Sequence, residues 1–175
     1  MKLFNNFFFI TVILLLLSNN LKAEDKIAYL DIDLILTNTL AGKSLLNNLK
    51  KHEEVKISKF KTRDEKFRND EKKILAKKNL VSNEEIKKDM KTLQIKFQEY
   101  RKNKKKEIEN LKKKRNKNIV NFINLINPII EKYMADNSIY ILMDKKNVFI
   151  ANKNYDITNK LIELIDIQIK TVEIK

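Results

Sequence analysis

The sequence predicts an α+β protein in which a long α-helical coiled-coil hairpin forms an arm on a small β-containing body. Apolar residues spaced close to every 3.5 positions run through a lysine-rich stretch from Lys43 to about Asp136, and one turn signal divides it into two helices. Between Ile119 and Tyr133 the apolar residues become too dense for a two-helix seam, so the second helix enters a globular body there. Short β-branched and aromatic runs on either side of the arm supply the strands of that body.

In the arm, the reversal falls within Lys78-Asn79-Leu80-Val81-Ser82-Asn83-Glu84-Glu85, with the tip at about residues 79–83. Ser82 followed three residues later by Glu85 is a capping box, which satisfies exposed amide donors at a helix start. Phe60, Phe67 and Ile74 stand seven residues apart on the outgoing helix. Ile86, Met90, Leu93, Phe97, Tyr100, Ile108 and Leu111 form the returning stripe. Glu53 and Lys104 occupy positions where this seam wants apolar residues, which predicts a thinly packed arm that bends.

Residues 1–23 read as a secretory signal peptide, with Lys2 as the positive start, an apolar run from Phe7 to Leu17 and Ala23 before the cut. An uncleaved membrane anchor is the competing reading, although the run is short of the about 20 residues of a membrane span. Residues 24–42 are then the first part of the body, 43–118 the arm and 119–175 the second part of the body. This organisation predicts export.

The chain carries 37 basic and 23 acidic residues, net +14, with a pI near 9.7. Between Lys43 and Lys117 there are 27 basic and 12 acidic residues, so the arm holds the entire positive excess. Charge placed this unevenly can steer acidic partners or contact an anionic membrane lipid surface, whereas a merely solvated helix face accounts for lysine runs as such. Nucleic acid is not expected as a partner, because few aromatics lie among the lysines and export removes it from reach.

The body is expected to hold three strands and helical segments. Lys26 to Leu36 begins as a strand and loses its alternation at Asp31 to Asp33, with a short helix or turn through Thr37 to Thr39. Ile139–Met143 and Val148–Ala151 read as two strands of a hairpin joined by Asp144-Lys145-Lys146-Asn147. Pro128 after Asn127 predicts a kink or a restarted helix. Asp156 or Thr158 caps a final helix with Leu161, Ile162, Leu164, Ile165 and Ile169 inward. So few strands cannot close a sheet, and self-association is expected through Ile27, Tyr29, Leu30, Ile139, Ile141, Val148 and Ile150.

No catalytic or metal-binding residue is assigned and no cofactor is expected. His52 is the single histidine and there is no cysteine. Gly42-Lys43-Ser44 ends like a phosphate-binding loop, but Thr37 stands where that loop requires its first glycine. Asp31, Asp33, Asp144 and Asp156 fall where strands end or helices begin, and capping explains them.

The order of leader, Ile27-Ala-Tyr-Leu-Asp31, Leu40-Ala-Gly42-Lys43, basic helical hairpin, Asn127-Pro128-Ile129-Ile130, Ile139-Tyr-Ile-Leu-Met-Asp144 and Tyr155-Asp156-Ile157-Thr158 resembles the Skp/OmpH family of periplasmic chaperones. The resemblance covers essentially the whole chain after the leader and departs at Ile141, where family members often read Leu-Val, and in its thin seam. It implies a jellyfish-like homotrimer with a shared β-barrel-like core, whose arms enclose unfolded outer-membrane proteins without ATP. The residues themselves agree with such a holdase, since lysines along an arm steer an acidic unfolded chain and scattered apolar side chains hold it loosely. Client-binding candidates are Lys59, Lys66, Lys72, Lys73, Lys77, Lys78, Lys87, Lys88 and Lys91 with Phe60, Phe67, Ile74, Leu80, Val81, Met90, Leu93, Phe97 and Tyr100. The alternative for the apolar residues is packing between the two helices. The alternative for the protein is a structural or membrane-tethered coiled-coil scaffold.

Overall fold

A computed structural model describes residues 26–174. The predicted leader, residues 1–23, lies outside the described residues. The elements in order are β1 (Lys26–Leu30), α1 (Ile32–Asn38), α2 (Leu40–Ala76), α3 (Asn83–Asp136), β2 (Ile139–Asp144) and α4 (Thr158–Gln168). Helices α2 and α3, of 37 and 54 residues, form the arm, and at a rise of about 1.5 Å per residue α2 alone is about 55 Å long.

The arm begins at a corner. Asp31 caps α1 by accepting the Leu34 amide, and eight residues later the chain turns at buried Thr39. The Thr39 hydroxyl donates to the Ile35 carbonyl at 2.8 Å and accepts the Gly42 amide at 3.0 Å, so one side chain ends α1 and starts α2. Gly42 lets α2 approach the last carbonyls of α1, because a Cβ there would lie 2.0 Å from the Leu36 oxygen. Asp166 of α4 accepts the Leu40 amide at 2.7 Å, satisfying another orphan donor of the same helix end.

At the far end, α2 stops at Ala76 and Ser82 caps α3 by accepting the Glu85 amide at 3.2 Å, as the capping box predicts. Helix α3 then runs unbroken into the body. Pro128 stands inside it and does not restart it. Asn124, whose carbonyl loses its amide partner, and Pro128 both face solvent, while Ile126, Ile129 and Ile130 face the core. Water can therefore satisfy the orphaned carbonyl, and burial on the opposite face outweighs the proline.

The body contains two strands among the described residues, and they pair in parallel rather than as a hairpin. Ile27 stands opposite Ile141 and Leu30 opposite Asp144. Parallel neighbours need a long crossover, and here the whole arm is that crossover. The predicted strand at Val148–Ala151 does not form. Asp144 accepts the Lys146 amide and Asn152 the Asn154 amide, opening 3₁₀ turns at Lys145–Asn147 and Lys153–Tyr155, and the short segment between them has no ladder partner. Instead Ile157 donates to the Tyr29 carbonyl at 3.0 Å on the other edge of β1.

The core gathers these elements. Leu45 and Leu49 of α2, Phe122 and Ile126 of α3, Ile35 of α1 and Leu161 and Ile165 of α4 are buried in one cluster with Ala28 and Leu30 of β1. Thr158, buried at the start of α4, accepts the Asp31 amide at 2.9 Å and donates to Asp156. Burial opposes ionisation of Asp156, but the Thr158 hydroxyl and amide and Lys145 outweigh it and hold the carboxyl below its usual value. After α4 the chain folds back along the arm's base, where Asn48 donates to the Val172 carbonyl at 3.2 Å. Among the described residues no helix is long and apolar enough to cross a membrane.

Gly42→Ala is expected to lower stability by about 3 kcal/mol, measured by urea denaturation, because the clash is with backbone and can be relieved only by shifting α2 off α1.

Candidate functional site: the arm and its two faces

The apolar seam lies where the heptads place it except at Phe97 and Ile108, which the structure leaves exposed at the edge of the seam. Phe60, Phe67 and Ile74 of α2 and Ile86, Met90, Leu93, Tyr100 and Leu111 of α3 are half-buried between the helices. At mid-arm, the Phe67 ring meets Phe97 edge-on at 5.2 Å and Tyr100 at the same distance. The Tyr100 hydroxyl crosses the seam to donate to the Phe60 carbonyl at 3.0 Å.

The polar seam positions are not gaps. Lys104 reaches across to Asp64 at 2.6 Å, and its ammonium lies 5.7 Å from the centroids of both Phe60 and Tyr100. Glu53 pairs with Arg115 at 3.4 Å, and Lys56 with Glu107 at 3.1 Å. Each pair joins α2 to α3. The hydrogen bond from Lys104 holds Asp64 below its usual carboxylate value and raises Lys104 in turn, while burial first and Asp64 second raise Tyr100. The missed signal was the opposite sign of Glu53 and Asp64 on one helix and Lys104 and Arg115 on the other, at facing heptad positions.

The two sides of this hairpin differ. On one face a groove of about 840 Å³ is floored by Phe67, Met90, Leu93 and Phe97 and rimmed by Arg68, Lys87 and Lys91. A second groove, of about 740 Å³, lies nearer the body and is floored by Ile57, Phe60, Ile108 and Leu111. Both grooves include Asp64 and Arg68, and Ile108, Lys112 and Arg115 stand whole heptads from Gln94, Lys91 and Lys87, so the grooves share a face. The other face carries a smaller groove of about 410 Å³ with Arg63, Lys66, Asp70, Asp89, Thr92 and Lys96 around it.

The sequence-predicted client residues are therefore distributed, not assembled into one site. Phe60, Lys87, Met90, Lys91 and Phe97 line the first face, Lys66 and Ile74 the other, and Phe67 and Leu93 border grooves on both. Tyr100 is held in the seam. Lys59, Lys72, Lys73 and Lys88 are exposed along the arm, and Lys77, Lys78 and Leu80 at its tip, where Val81 is half-buried.

Of the residues predicted to mediate self-association, Tyr29 and Leu30 are buried in the chain's own core and Ile139 and Val148 are half-buried. Ile27, Ile141 and Ile150 are exposed, as is Phe149. Phe149 is 99% exposed and Ile150 85%. Two ion pairs, Lys146 to Asp33 at 2.6 Å and Lys145 to Asp156 at 3.6 Å, anchor the preceding turn against α1 and the start of α4.

The family profile described as outer membrane protein, OmpH-like, matches residues 26–165. The crystal structure of an OmpH-like protein from Caulobacter crescentus CB15 is similar in fold, with a TM-score of 0.75 at 20% identity over 84% of this chain and 87% of that one. No curated protein sequence matches the chain significantly.

A double-mutant cycle of Asp64→Ala and Lys104→Ala is expected to give a coupling of about 1 kcal/mol in urea denaturation, the upper end for a partly exposed pair. Asp64 contributes above its unfolded value near 3.8 and loses its contribution as pH falls through its lower folded value, while Lys104 contributes below 10.5 and loses its share as pH rises through its raised folded value. The coupling should thus persist from about pH 5 to 10 and vanish in acid.

Proposed function

Because the chain belongs to the OmpH-like family, we propose that it is an ATP-independent periplasmic holdase that binds unfolded outer-membrane β-barrel proteins and prevents their aggregation. The observation that carries this reading is an arm whose seam is closed by its own ion pairs while one face keeps accessible apolar side chains among lysines and arginines that enter no salt bridge among the described residues. Such a surface attracts an acidic unfolded chain over a Debye length of about 8 Å and then holds it by many small apolar contacts. Neither step needs a nucleotide, and both are reversible.

The functional unit we propose is a homotrimer. Ile27, Tyr140, Ile141, Phe149 and Ile150 of the body are large apolar side chains that stay exposed among the described residues. In the two-stranded sheet, β2 has a single strand neighbour, β1, among the described residues. Pairing between copies would cover both features and build a shared β core. At the opposite end Leu80 is 81% exposed beside Lys77 and Lys78, a tip suited to anionic lipid headgroups.

The test is light scattering of an outer-membrane β-barrel protein diluted from urea, with residues 24–175 in excess and no ATP. Scattering should be suppressed, and the suppression should weaken at about 0.5 M salt, where screening removes the steering term. Unchanged scattering with folded protein would overturn the reading. Phe149→Glu with Ile150→Glu should convert the assembly to single chains in sedimentation velocity while leaving the helical circular dichroism intact.

A further inference from the structure

The two apolar grooves follow one another along a single face of the arm, joined at Asp64 and Arg68. We infer that this face, and not the arm as a whole, is a track for one extended segment of unfolded chain, about ten residues long, with alternating apolar and polar side chains and a net acidic charge. The inference rests on the holdase reading and adds the form in which a client is held.

Length is the first ground. The lining residues run from Glu53 to Glu71 on α2 and from Lys87 to Arg115 on α3, spans of about 27 and 42 Å at 1.5 Å per residue. An extended chain rising about 3.4 Å per residue covers them with about 8 to 12 residues, the length of one membrane-spanning β-strand. The second ground is the one-sided floor. Ile57 and Ile108 in the lower groove and Met90 and Phe97 in the upper one present apolar surface along one line, which an alternating segment meets with every second side chain while its polar side chains stay in water.

Charge supplies the third ground. Asp64, Lys104, Glu53 and Arg115 are consumed by each other across the seam. Of the other charged residues on the face, Lys61, Arg68, Lys87, Lys91 and Lys112 are basic and Glu65 and Glu71 acidic, and none enters a salt bridge among the described residues. Carboxylates on the occupant are therefore favoured along the rim of both grooves. The opposite face is poorer in this combination: its groove has about half the volume of the upper one, and Asp70 and Asp89 offset two of its three basic residues, Arg63, Lys66 and Lys96.

The experiment uses the exported protein, residues 24–175, with a photo-crosslinking benzoylphenylalanine at Ile57 or Gln94 on the track and at Thr92 or Lys96 on the other face. The probes are fluorescein-labelled peptides of five and ten residues that alternate Val, Leu or Tyr with Thr or Asp. Cross-linking should be about tenfold stronger on the track, and the ten-residue peptide should bind about tenfold tighter than the five-residue one. Arg68→Glu with Lys91→Glu should weaken that peptide by a similar factor and leave the helical content unchanged. Equal cross-linking on both faces, or equal affinity for the two lengths, overturns the track. Track labelling by anionic phospholipid vesicles and not by peptide overturns it too, in favour of a lipid. Aggregation of a urea-unfolded β-barrel protein is followed with the same variants. Suppression with face-independent cross-linking sinks the track and leaves the holdase standing, whereas no suppression and no cross-linking sinks both.

Discussion

The ion pair between Lys104 and Asp64 is the interaction on which the arm depends. A two-helix hairpin of this length has few apolar residues to bury, and the outgoing helix offers only Phe60, Phe67 and Ile74 over three heptads. Lys104 closes the gap between Phe60 and Phe67 by laying its stem and ammonium against Phe60 and Tyr100 while its charge ends on Asp64. Register follows from the same pairs. A slip of one heptad in one direction would set Lys56 against Lys114 and Asp64 against Leu111, and in the other it would set Asp64 against Phe97 and Glu53 against Ile108. Each alternative strands a charge, so three modest pairs together exclude the misaligned arms that an all-leucine seam would tolerate.

Register at mid-arm is useful only if the base holds the arm at a fixed angle, and the body is arranged to do this. The arm is inserted between two adjacent parallel strands, so its two helices leave and re-enter the same sheet. Thr39 and Gly42 set the outgoing corner with backbone contacts, and Phe122 and Ile126 carry the returning helix through the middle of the core. The C-terminal segment adds Asp166 at the helix end and Val172 about two turns up. Tilting the arm would break several of these together, which localises compliance to the thinner packing further out.

The helices and the core were legible because they rest on periodicity. Phe60, Phe67, Met90, Leu93, Phe122 and Ile126 fall on the stripes that their spacing marks, and Ser82 caps where a serine three before a glutamate should. Strand pairing was not legible in the same way. Val148–Ala151 has the composition of a strand and sits after a turn, yet pairing depends on what the rest of the chain brings alongside, and the crossover brings β1 to β2 first. The restart expected at Pro128 fails for a related reason, because the cost of a proline depends on whether the deprived carbonyl faces water. Glu53 and Lys104 looked like defects when each helix was read alone, since an ion pair across a seam is a property of two sequences in register.

Weak packing and function are connected through release. A carrier with no nucleotide site must let go by mass action, so its affinity per contact has to stay low while the number of contacts stays high. An arm with a dense apolar seam would hide its Phe and Ile side chains, and one with none would splay. Filling half the seam with ion pairs keeps the helices together at little apolar cost, and it leaves Phe97, Ile57 and Ile108 partly in water. Each such residue can bury only the part of its surface that the seam does not use, a fraction of the about 2 kcal/mol that full burial of an aliphatic or aromatic side chain yields. Contacts of that size are individually lost within thermal fluctuation, and a client that begins to bury its own strands elsewhere can leave one contact at a time.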